Sequence, residues 1–399
     1  MTPEPIVESQ RRQAIEVLRH SSCEVGLQAS GLSHGYHQIW ARDSMIALLG
    51  ASQAGDPAVH AALLASLTNL ERHQSAAGAI PNHVDVASGK PNFRAYADGG
   101  LWYVIGSTIL RPNYKAIRRV LAWYECQDVD ASGLLSIQEA SDWEDLFCTR
   151  GQGLYVNCLY VMALRNAAEI ADLEGAVPDA AAYRRRAEAA RSAINRILWY
   201  HGDGQLLRHI EHTFSTPGSH DTLGRKRWIP EKRSLVHERY YLPYVSFREA
   251  GEWFDSLGNL LAILSGVAGA KEAGLIFDFI ERHGLALHPM KALYPPVEPG
   301  APDWRNYYGT LNQPHHYHNG GIWPFIGGFY VAALVRAERY GEAQSALVRL
   351  AELNRRTNFC EWCHGETAEP MGVYEQAWSA GMYLYAAGCV EAKKVLLIH

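Results

Sequence analysis

Apolar residues recur at helical spacing through most of this 399-residue chain, and few runs alternate apolar and polar residues as strands do. One helix start has a clear signal, because Asp56 is a good N-cap residue and Pro57 suits the first helical position. The pattern predicts helices over residues 9–20, 44–54, 57–73, 98–110, 114–124, 153–173, 178–200, 253–268, 270–283, 322–340, 340–353 and 374–390.

Long polar segments follow every second predicted helix, and such lengths are uncommon in a compact domain unless the segments have a function. They cover residues 21–38, 74–97, 127–150, 201–248, 284–320 and 355–373. Six helical hairpins that send these segments to one end would explain the pattern. The sequence therefore predicts an all-α fold, an (α/α)6 barrel, as one domain over residues 1–399. The segment 201–248 is predicted to be a lid or a small insertion.

Composition narrows the classes of function. With 48% hydrophobic and 20% charged residues and a net charge of −5, the chain is typical of a packed globular protein and not of a nucleic-acid-binding one. We expect no membrane span and no leader peptide, because no long apolar run occurs. Seven scattered cysteines fit reduced thiols, which favours a cytoplasmic location. The oligomeric state has no signal in the sequence.

Aromatic and polar residues gather at the long segments. The chain has 11 Trp and 21 Tyr, whose flat apolar faces and polar tips suit sugar recognition. If the six segments converge, they form a pocket of the composition expected for a small neutral carbohydrate. The candidate substrate-binding residues, taken along the chain, are Trp40, Arg42, Asp43, Tyr96, Asp98, Trp102, Trp143, Arg248, Trp253, His318, Asn319, Trp323, Glu375 and Gln376.

The third long segment contains Glu139-Ala-Ser-Asp-Trp-Glu-Asp145, which has four carboxylates within seven residues. Crowded carboxylates raise one another's pKa, which suits a general acid, although a surface acidic turn is the alternative. Cleavage of a glycosidic bond needs two carboxyl groups, one as acid and one as base or nucleophile. We predict Asp145 as the acid and Glu361 as the base. The second choices are Glu375 for the base and Asp142, Glu144 and Glu139 for the acid.

Other chemistries fit the sequence less well. Cys360 and Cys363 have zinc-ligand or redox spacing, but no second Cys pair and no βαβ setting accompany them. His315, His316 and His318 could bind a metal, although sugar contacts or loop roles are the favoured interpretation. No serine elbow and no phosphate-binding glycine loop occurs. We therefore expect neither a metal nor a cofactor.

Six motifs, in register from about residue 37 to residue 388, resemble those of the alkaline/neutral invertases, glycoside hydrolase family 100. The segment 254–265 is similar to "F-x-x-LGN-x-x-AILS", and 318–324 matches "HNGGSWP". The other four resemblances are 39–43 to "VWVRD", 97–102 to "VDSGLWW", 361–367 to "EYYDGKTG" and 374–379 to "KYQTWS". The wider group includes glycogen-debranching glucosidase domains and family 63 α-glycosidases, which are inverting (α/α)6 barrels.

The resemblance implies Asp145 as general acid, as in the "W-M-D" of the debranching relatives, and Glu361 as the base that activates water. It implies that Asp43, Asp98, Trp40, Trp102, His318 and Gln376 shape the subsite for the glycosyl ring. The chain departs from the family directly after the acid, where the invertases read "DRRMG" and this chain reads Asp145-Leu-Phe-Cys-Thr. The aglycone side is therefore expected to differ.

Together these observations predict an inverting exo-glycosidase for an α-linked glucoside or a related small sugar. Sucrose, a glucan branch and a glycoside of glycerate stay open as substrates. Arg150, Arg248 and Arg305 are candidates to pair with a substrate carboxylate. Two other functions also stay open: a sugar 2-epimerase that uses histidines as acid and base, and a sugar-binding barrel without activity.

Overall fold

Thirteen α-helices and nine short β-strands form the part of the protein that the computed structural model describes, residues 3–32, 34–200, 238–246 and 249–398. Most of the predicted lid or insertion at 201–248 lies outside these residues, as does Arg248. The helices are α1 (Pro3–Ser21), α2 (Ala41–Ala51), α3 (Pro57–Arg72), α4 (Gly99–Leu110), α5 (Tyr114–Glu125), α6 (Leu154–Leu173), α7 (Val177–Ile197), α8 (Ser256–Leu264), α9 (Ala270–Arg282), α10 (Tyr308–Leu311), α11 (Pro324–Arg336), α12 (Tyr340–Thr357) and α13 (Ala377–Ala392).

Six helices form a closed inner ring. Helix α2 packs against α4, α4 against α6, α6 against α8, α8 against α11, α11 against α13, and α13 against α2 again. The remaining long helices lie outside this ring, with α3 on α2, α5 on α4 and α6, α7 on α6, α12 on α11, and α1 on α13. This arrangement is the predicted (α/α)6 barrel, which is confirmed.

The two layers differ in sequence because they differ in burial. Every residue of the inner helices α2 and α8 is buried; α8 is nearly all apolar, and α2 is apolar beyond its first turn, which holds Arg42, Asp43 and Ser44. The outer helix α5 buries only one stripe at helical spacing, formed by Ala116, Ile117, Val120, Leu121 and Tyr124. A helix that is apolar all round is stable only between neighbours, so the sequence pattern itself assigns α8, and α2 after its first turn, to the inner layer.

Six segments lead from an outer helix to the next inner helix, and their described residues lie at the N-terminal ends of the inner helices. We number these described residues loop 1 (22–32 and 34–40), loop 2 (73–98), loop 3 (126–153), loop 4 (198–200, 238–246 and 249–255), loop 5 (283–323) and loop 6 (358–376). The strands are confined to these loops: β1 (Ser22–Cys23), β2 (Gly26–Leu27), β3 (Gln38–Trp40), β4 (His83–Asp85), β5 (Pro91–Asn92), β6 (Gln152–Gly153), β7 (Tyr244–Val245), β8 (Phe254–Asp255) and β9 (Leu293–Tyr294).

Backbone hydrogen bonds join each loop to the next around the ring. Antiparallel pairing of β3 with β4 joins loops 1 and 2, β6 with β7 joins loops 3 and 4, and β8 with β9 joins loops 4 and 5. The Ala97 N–H donates to the Ser141 carbonyl at 2.9 Å between loops 2 and 3. Bridges Ile322–Cys363 and Ser30–Gln376 close the circle through loop 6.

Two of the predicted helix starts are wrong because an N-cap residue or a proline sets the true start of the helix. The predicted helix 253–268 begins only at Ser256, because the Asp255 side chain accepts from the Gly258 N–H at 3.1 Å and caps it. The predicted helix 322–340 begins at Pro324, which occupies the first helical position. The Asp56 cap is found as predicted, with its carboxylate accepting from Ala58 and Val59. No helix in the described ranges is long and apolar enough to cross a bilayer.

Helices α2 and α13 cross at backbone contact. A Cβ atom at Gly50 would overlap the Gly381 carbonyl oxygen, and one at Gly381 would overlap the Ala47 carbonyl oxygen. Because the overlapped atoms belong to the backbone of two buried helices, a side chain cannot turn away to make room.

We expect Gly50→Ala to lower the free energy of unfolding by about 3 kcal/mol or more, because it forces two inner helices apart. Gly274→Ala in the outer helix α9 is the matched control. A Cβ there meets nothing within 4 Å, so alanine is expected to stabilise by about 0.5–1 kcal/mol. Urea unfolding followed by circular dichroism measures both, and equal effects of the two changes would contradict the close crossing.

Candidate active site

A cavity of ≈ 260 Å³ opens at the N-terminal ends of the inner helices, inside the circle of loops. Its wall combines carboxylates, two arginines and aromatic rings. The lining residues are Tyr36, Trp40, Arg42, Asp43, Asn82, His83, Asn92, Arg94, Ala95, Trp143, Asp145, Leu146, Tyr317, His318, Trp323, Glu361 and Trp378.

Asp145 and Glu361 both line this cavity. Asp145 belongs to loop 3, which leads into α6, and Glu361 belongs to loop 6, which leads into α13. In the closed order of the inner ring, α6 and α13 are three places apart and so lie across from each other. Two loops from opposite sides of the ring therefore each bring a carboxyl group to one cavity.

Glu361 is a buried carboxyl group surrounded by weak donors. The hydroxyls of Tyr36 and Tyr317 each donate to it at 3.4 Å, and the Val373 N–H donates to Oε2 at 3.4 Å. Burial raises the pKa of Glu361 to about 7, against the lowering effect of the Val373 N–H and the two hydroxyls. This carboxyl group thus changes its protonation state near neutral pH.

Asp145 is less enclosed, with its side chain about 25% exposed. Burial raises its pKa, whereas the nearby guanidinium of Arg42, whose Nη2 lies 3.7 Å from Oδ2, lowers it and Asp98 raises it. The elevated pKa predicted from the sequence is found, but its cause differs. Burial dominates, and the like-charged residue that contributes is Asp98 of loop 2, not the neighbours of Asp145 in the chain.

Arg42 is the cation around which the acidic residues are arranged. Its Nη1 lies 3.1 Å from Asp98 Oδ2 and donates to the Asp142 carbonyl at 2.9 Å, and its Nε lies 3.8 Å from Asp43 Oδ2. Burial alone would lower the pKa of Arg42, but the carboxylates of Asp98, Asp145 and Asp43 more than offset it. Arg42 thereby joins α2, the start of α4 and loop 3.

Asp43 is the third carboxyl group of the cavity wall. Burial raises its pKa to about 6, with Arg42 acting in the opposite direction and Asp145 in the same one. It lies one residue beyond Arg42 in the first turn of α2, so the same helix start supplies a cation and a carboxylate. A buried carboxylate on a sugar site is a strong acceptor for ring hydroxyls.

The cavity floor is a set of packed aromatic rings. Trp143 lies edge-on to Trp323 at 5.5 Å and to His318 at 5.1 Å, and His318 stacks on Trp323 at 5.4 Å. Trp378 stacks on Phe325 at 4.2 Å behind them. Burial, followed by the charge of Arg42, lowers the pKa of His318 well below its ordinary value. The imidazole is therefore neutral, which suits hydrogen bonding and not acid catalysis at neutral pH.

Several lining residues carry a buried polar atom without a hydrogen-bond partner in the described structure. Buried polar atoms are normally paired with protein or water, so unpaired ones around a cavity mark positions that ligand hydroxyls or water can satisfy. They are Trp40 Nε1, Arg42 Nε, Asn82 Oδ1, His83 Nδ1, His318 Nδ1 and Trp378 Nε1.

Of the candidate binding residues, six line the cavity: Trp40, Arg42, Asp43, Trp143, His318 and Trp323. Asp98 lies directly behind Arg42 and accepts from the Tyr155 hydroxyl at 2.9 Å. Trp102 lies deeper, where its Nε1 donates to Tyr155 at 2.6 Å. These two side chains support the wall of the cavity without forming part of it.

The other candidates lie away from the cavity lining. Tyr96 packs edge-on against Trp123, and Trp253 belongs to a separate aromatic cluster with Phe147. The Asn319 amide bonds the backbone of Val297, and the buried Gln376 occupies the N-cap position of α13 without a side-chain cap hydrogen bond. Glu375, the second choice for the base, lies 3.0 Å from His20 and accepts from Asn358.

The second choices for the acid are also engaged elsewhere. Asp142 and Glu144 are buried behind the cavity wall, and Glu144 accepts from the Thr149 hydroxyl at 2.6 Å. Burial raises the pKa of both well above the ordinary range. Glu139 lies at the rim, paired with Arg305 through two 2.8 Å bonds. Asp145 is the carboxyl group of this stretch that faces the cavity.

Sequence reasoning did not single out Tyr36 and Tyr317, the two residues whose hydroxyls contact Glu361. Tyr36 lies in a Gly/Ser/His-rich loop, where nothing distinguishes it. Tyr317 lies between His316 and His318, and the sequence indicated these two histidines as candidates instead. The available signal was the position of Tyr317 directly before the "HNGG" motif.

The histidine and cysteine candidates form no ligand set. Cys360 and Cys363 Sγ lie 3.3 Å apart in a small apolar cluster. Across the described ranges, no group of three or more His, Cys, Asp or Glu side chains is arranged to hold a metal ion. His316 packs against His364 at 4.9 Å and lies off the cavity lining, so an acid–base pair of histidines has no support from the geometry.

Solved structures of glycosidases share this fold. The family 63 mannosylglycerate hydrolase of Thermus thermophilus, in complex with glucose, superposes with a TM-score of 0.64 at 16% identity, over 94% of this chain and 98% of that one. A bacterial glucoamylase complexed with acarbose superposes with a TM-score of 0.65 at 16% identity, over 98% of this chain and 56% of that one. At this level of identity the likeness supports the helical barrel alone.

Sequence relatives are plant invertases. The mitochondrial neutral/alkaline invertase 1 of Oryza sativa subsp. japonica is 27% identical over 344 residues, which are 76% of this chain and 53% of that protein. Cytosolic invertase 1 of the same plant is 26% identical over 355 residues, which are 80% and 61%. The chain thus spans about half to three-fifths of the length of these relatives.

The resemblance found from the motifs is confirmed by a match to a whole family. The sequence profile of the alkaline and neutral invertases matches residues 111–392, which include the acidic stretch of loop 3 and the base candidate of loop 6. This range covers well over half of the chain. We conclude that the protein belongs to the alkaline and neutral invertase family.

Proposed function

We propose that the protein is an inverting exo-glycosidase that hydrolyses an α-linked glucoside or a related small α-linked sugar. The observation that supports this proposal is that Asp145 and Glu361 line the same cavity, together with aromatic and polar residues of the types that bind sugars. An enclosed cavity of this size accepts the end of a substrate better than the middle of a chain, which supports exo action.

In this proposal Glu361 acts as the general base. Its carboxylate removes a proton from a water molecule, and the oxygen of that water attacks the anomeric carbon from the side of loop 6. The Tyr36 and Tyr317 hydroxyls hold the carboxylate in place. Because water attacks the face opposite the leaving group, the configuration at the anomeric carbon inverts.

Asp145 acts as the general acid in the same step. Its carboxyl group transfers its proton to the glycosidic oxygen as the bond from this oxygen to the anomeric carbon breaks. The transfer leaves a carboxylate next to Arg42, whose guanidinium favours this ionised form. The aromatic floor and Asp43 would then contact the ring and the hydroxyls of the glycosyl unit.

The substrate range includes sucrose-type and α-glucosyl or α-mannosyl compounds. The relatives that are named invertases support a sucrose-type substrate. The altered segment after Asp145 supports an aglycone that differs from that of sucrose. The cytoplasmic location predicted from the cysteines stays a prediction, since one relative is cytosolic and another mitochondrial.

Removing either catalytic carboxyl group tests the proposal. We expect Asp145→Asn and Glu361→Gln each to lower kcat by about 10²–10⁴-fold on an α-glucoside that the wild type hydrolyses. Proton NMR of the wild-type reaction is expected to show β-glucose as the first product. The control Glu366→Gln changes an exposed carboxylate of the same loop and is expected to keep activity. Wild-type rates in folded Asp145→Asn and Glu361→Gln, or α-glucose as first product, would refute the proposal.

The pH profile tests the role of Glu361. A base must be ionised, so kcat/KM is expected to fall about tenfold per pH unit as the pH drops below about 7, the pKa of Glu361. Tyr36→Phe removes a hydroxyl that stabilises the carboxylate, so the acidic limb should move to higher pH. Tyr374→Phe, an exposed tyrosine off the cavity lining, should leave the limb unmoved. A limb that moves to lower pH in Tyr36→Phe would exclude this role.

The elevated pKa of Glu361 also has a stability consequence. In the unfolded chain this group titrates near its ordinary 4.5, so its contribution to stability is complete below that pH and is lost as the pH rises through about 7. Glutamine carries no charge to bury. We therefore expect Glu361→Gln to be more stable than the wild type by up to about 3 kcal/mol at pH 8, with little difference at pH 4. Urea unfolding at both pH values measures this, and a destabilised variant at pH 8 would contradict it.

A further inference from the structure

The arginines around the cavity differ in how far they are neutralised. Arg42 is shared among three carboxylates. At the rim, Arg305 is paired with Glu139, and Arg150 contacts Asp303 at 3.1 Å as well as Glu249. Two of the three arginines proposed from the sequence to meet a substrate carboxylate are therefore already paired, and the third lies outside the described residues.

Arg94 is different, because it lines the cavity and its exposed side chain has no carboxylate within ion-pair distance in the described part of the chain. Its backbone is fixed, since the Arg94 N–H donates to Asn92 Oδ1 at 2.8 Å directly after β5. Strand β5 pairs with β4, and β4 pairs with β3, which ends at Trp40. The backbone of an exposed arginine at the cavity is thus held by the sheet that also holds Trp40.

Arg94 lies on the side of the cavity that carries Asp145. Its positive charge lowers the pKa of Asp145, although burial, Arg42 and Asp98 have larger effects on that pKa. The acid protonates the leaving oxygen, so the departing part of the substrate must lie on the Asp145 side of the cavity. Arg94 therefore faces the aglycone and not the glycosyl ring.

The residue that follows Asp145 in the chain also indicates an altered aglycone side. Where the invertase motif "DRRMG" has an arginine beside the acid, this chain has Leu146, and Leu146 lines the cavity. The wall next to Asp145 has no cation at that place, and among the described residues of the cavity lining the arginine without a carboxylate partner is Arg94 of loop 2. An aglycone that fits this wall has a different distribution of charge from fructose.

We propose that the substrate's aglycone carries an anionic group, a carboxylate or a phosphate, and that the guanidinium of Arg94 binds it beside Asp145. This inference rests on the proposed function and narrows its substrate class. With Asp43, Asp145 and Glu361 on the same cavity, an anion would be repelled unless a cation without a partner received it. A guanidinium presents a fork of donors that matches carboxylate and phosphate oxygens.

The test compares matched anionic and neutral substrates on the full-length protein. The carboxylate pair is α-glucosyl lactate and its methyl ester, and the phosphate pair is sucrose phosphate and sucrose. We expect the wild type to cleave one anionic member with a kcat/KM roughly ten- to a hundredfold above that of its neutral partner. This preference should shrink as ionic strength rises, because the rim is open to solvent.

Variants assign the preference to one side chain. Arg94→Gln is expected to abolish this preference, because KM for the anionic member rises roughly ten- to a hundredfold more than KM for its neutral partner. Arg94→Lys should keep part of it, since lysine preserves the charge but not the fork. The matched control is Lys90→Gln, which removes an exposed cation from the same β4–β5 hairpin off the cavity lining. It should behave as wild type.

The outcomes separate this inference from the proposed function. Equal kcat/KM for both members of each pair, or an equal loss on both in Arg94→Gln through kcat, would overturn the anion site while α-glucoside hydrolysis still stands. Calorimetric titration of lactate and of inorganic phosphate into the Glu361→Gln protein gives a readout without turnover. Binding that Arg94→Gln in this background removes supports the site even if no glycoside is hydrolysed, and the absence of binding by both anions overturns it.

Discussion

The buried guanidinium of Arg42 is the interaction on which the rest of the site depends. It holds Asp98 at the start of α4, the Asp142 carbonyl of loop 3, Asp43 in its own helix and Asp145, the proposed acid. Without it, three carboxylates would face one another in a space that water enters poorly, and a buried charge left without its partner costs about 3–5 kcal/mol. The acidic cluster and its cation therefore form a single unit, and the position of Asp145 is a property of that unit.

The two proposed catalytic carboxyl groups have different neighbours. Asp145 has a full positive charge within 4 Å, whereas Glu361 has only hydroxyl and amide donors. Both have an elevated pKa because both are removed from water, but only Asp145 has a counterion ready for the charge it acquires after proton transfer. The two groups therefore differ in what stabilises their charged forms: a guanidinium at Asp145, and hydroxyl and amide donors alone at Glu361. The burial of an ionised carboxylate without a cation costs stability, chiefly at Glu361.

The fold was predictable from the sequence, and the site only in part, for physical reasons. Apolar periodicity and six long segments are enough to predict a barrel, because inner helices such as α8 are apolar on every face. Asp145 and Glu361 could be proposed from chemistry and motif, and both line the cavity. Trp102 and Asp98 share the same motif but face inward, and sequence spacing does not show on which side of a wall a side chain ends. Tyr36 reaches Glu361 across 325 positions of the chain, a contact that only the closure of the ring creates.

The circle of backbone hydrogen bonds between successive loops determines where this architecture tolerates change. Loop 3 is tied to loop 2 at Ser141 and is bridged to itself between Ile137 and Gly151. The stretch between these points is also held in its middle, because the Asn312 amide donates to the Leu146 carbonyl at 2.8 Å and Phe147 stacks on Tyr308. It contains Asp145, the proposed acid, and the residues after Asp145 are those in which the chain departs from the family motif. Because the backbone is fixed on both sides of Leu146, a different side chain at this half-buried position would change the cavity wall beside Asp145 without moving Asp145 itself.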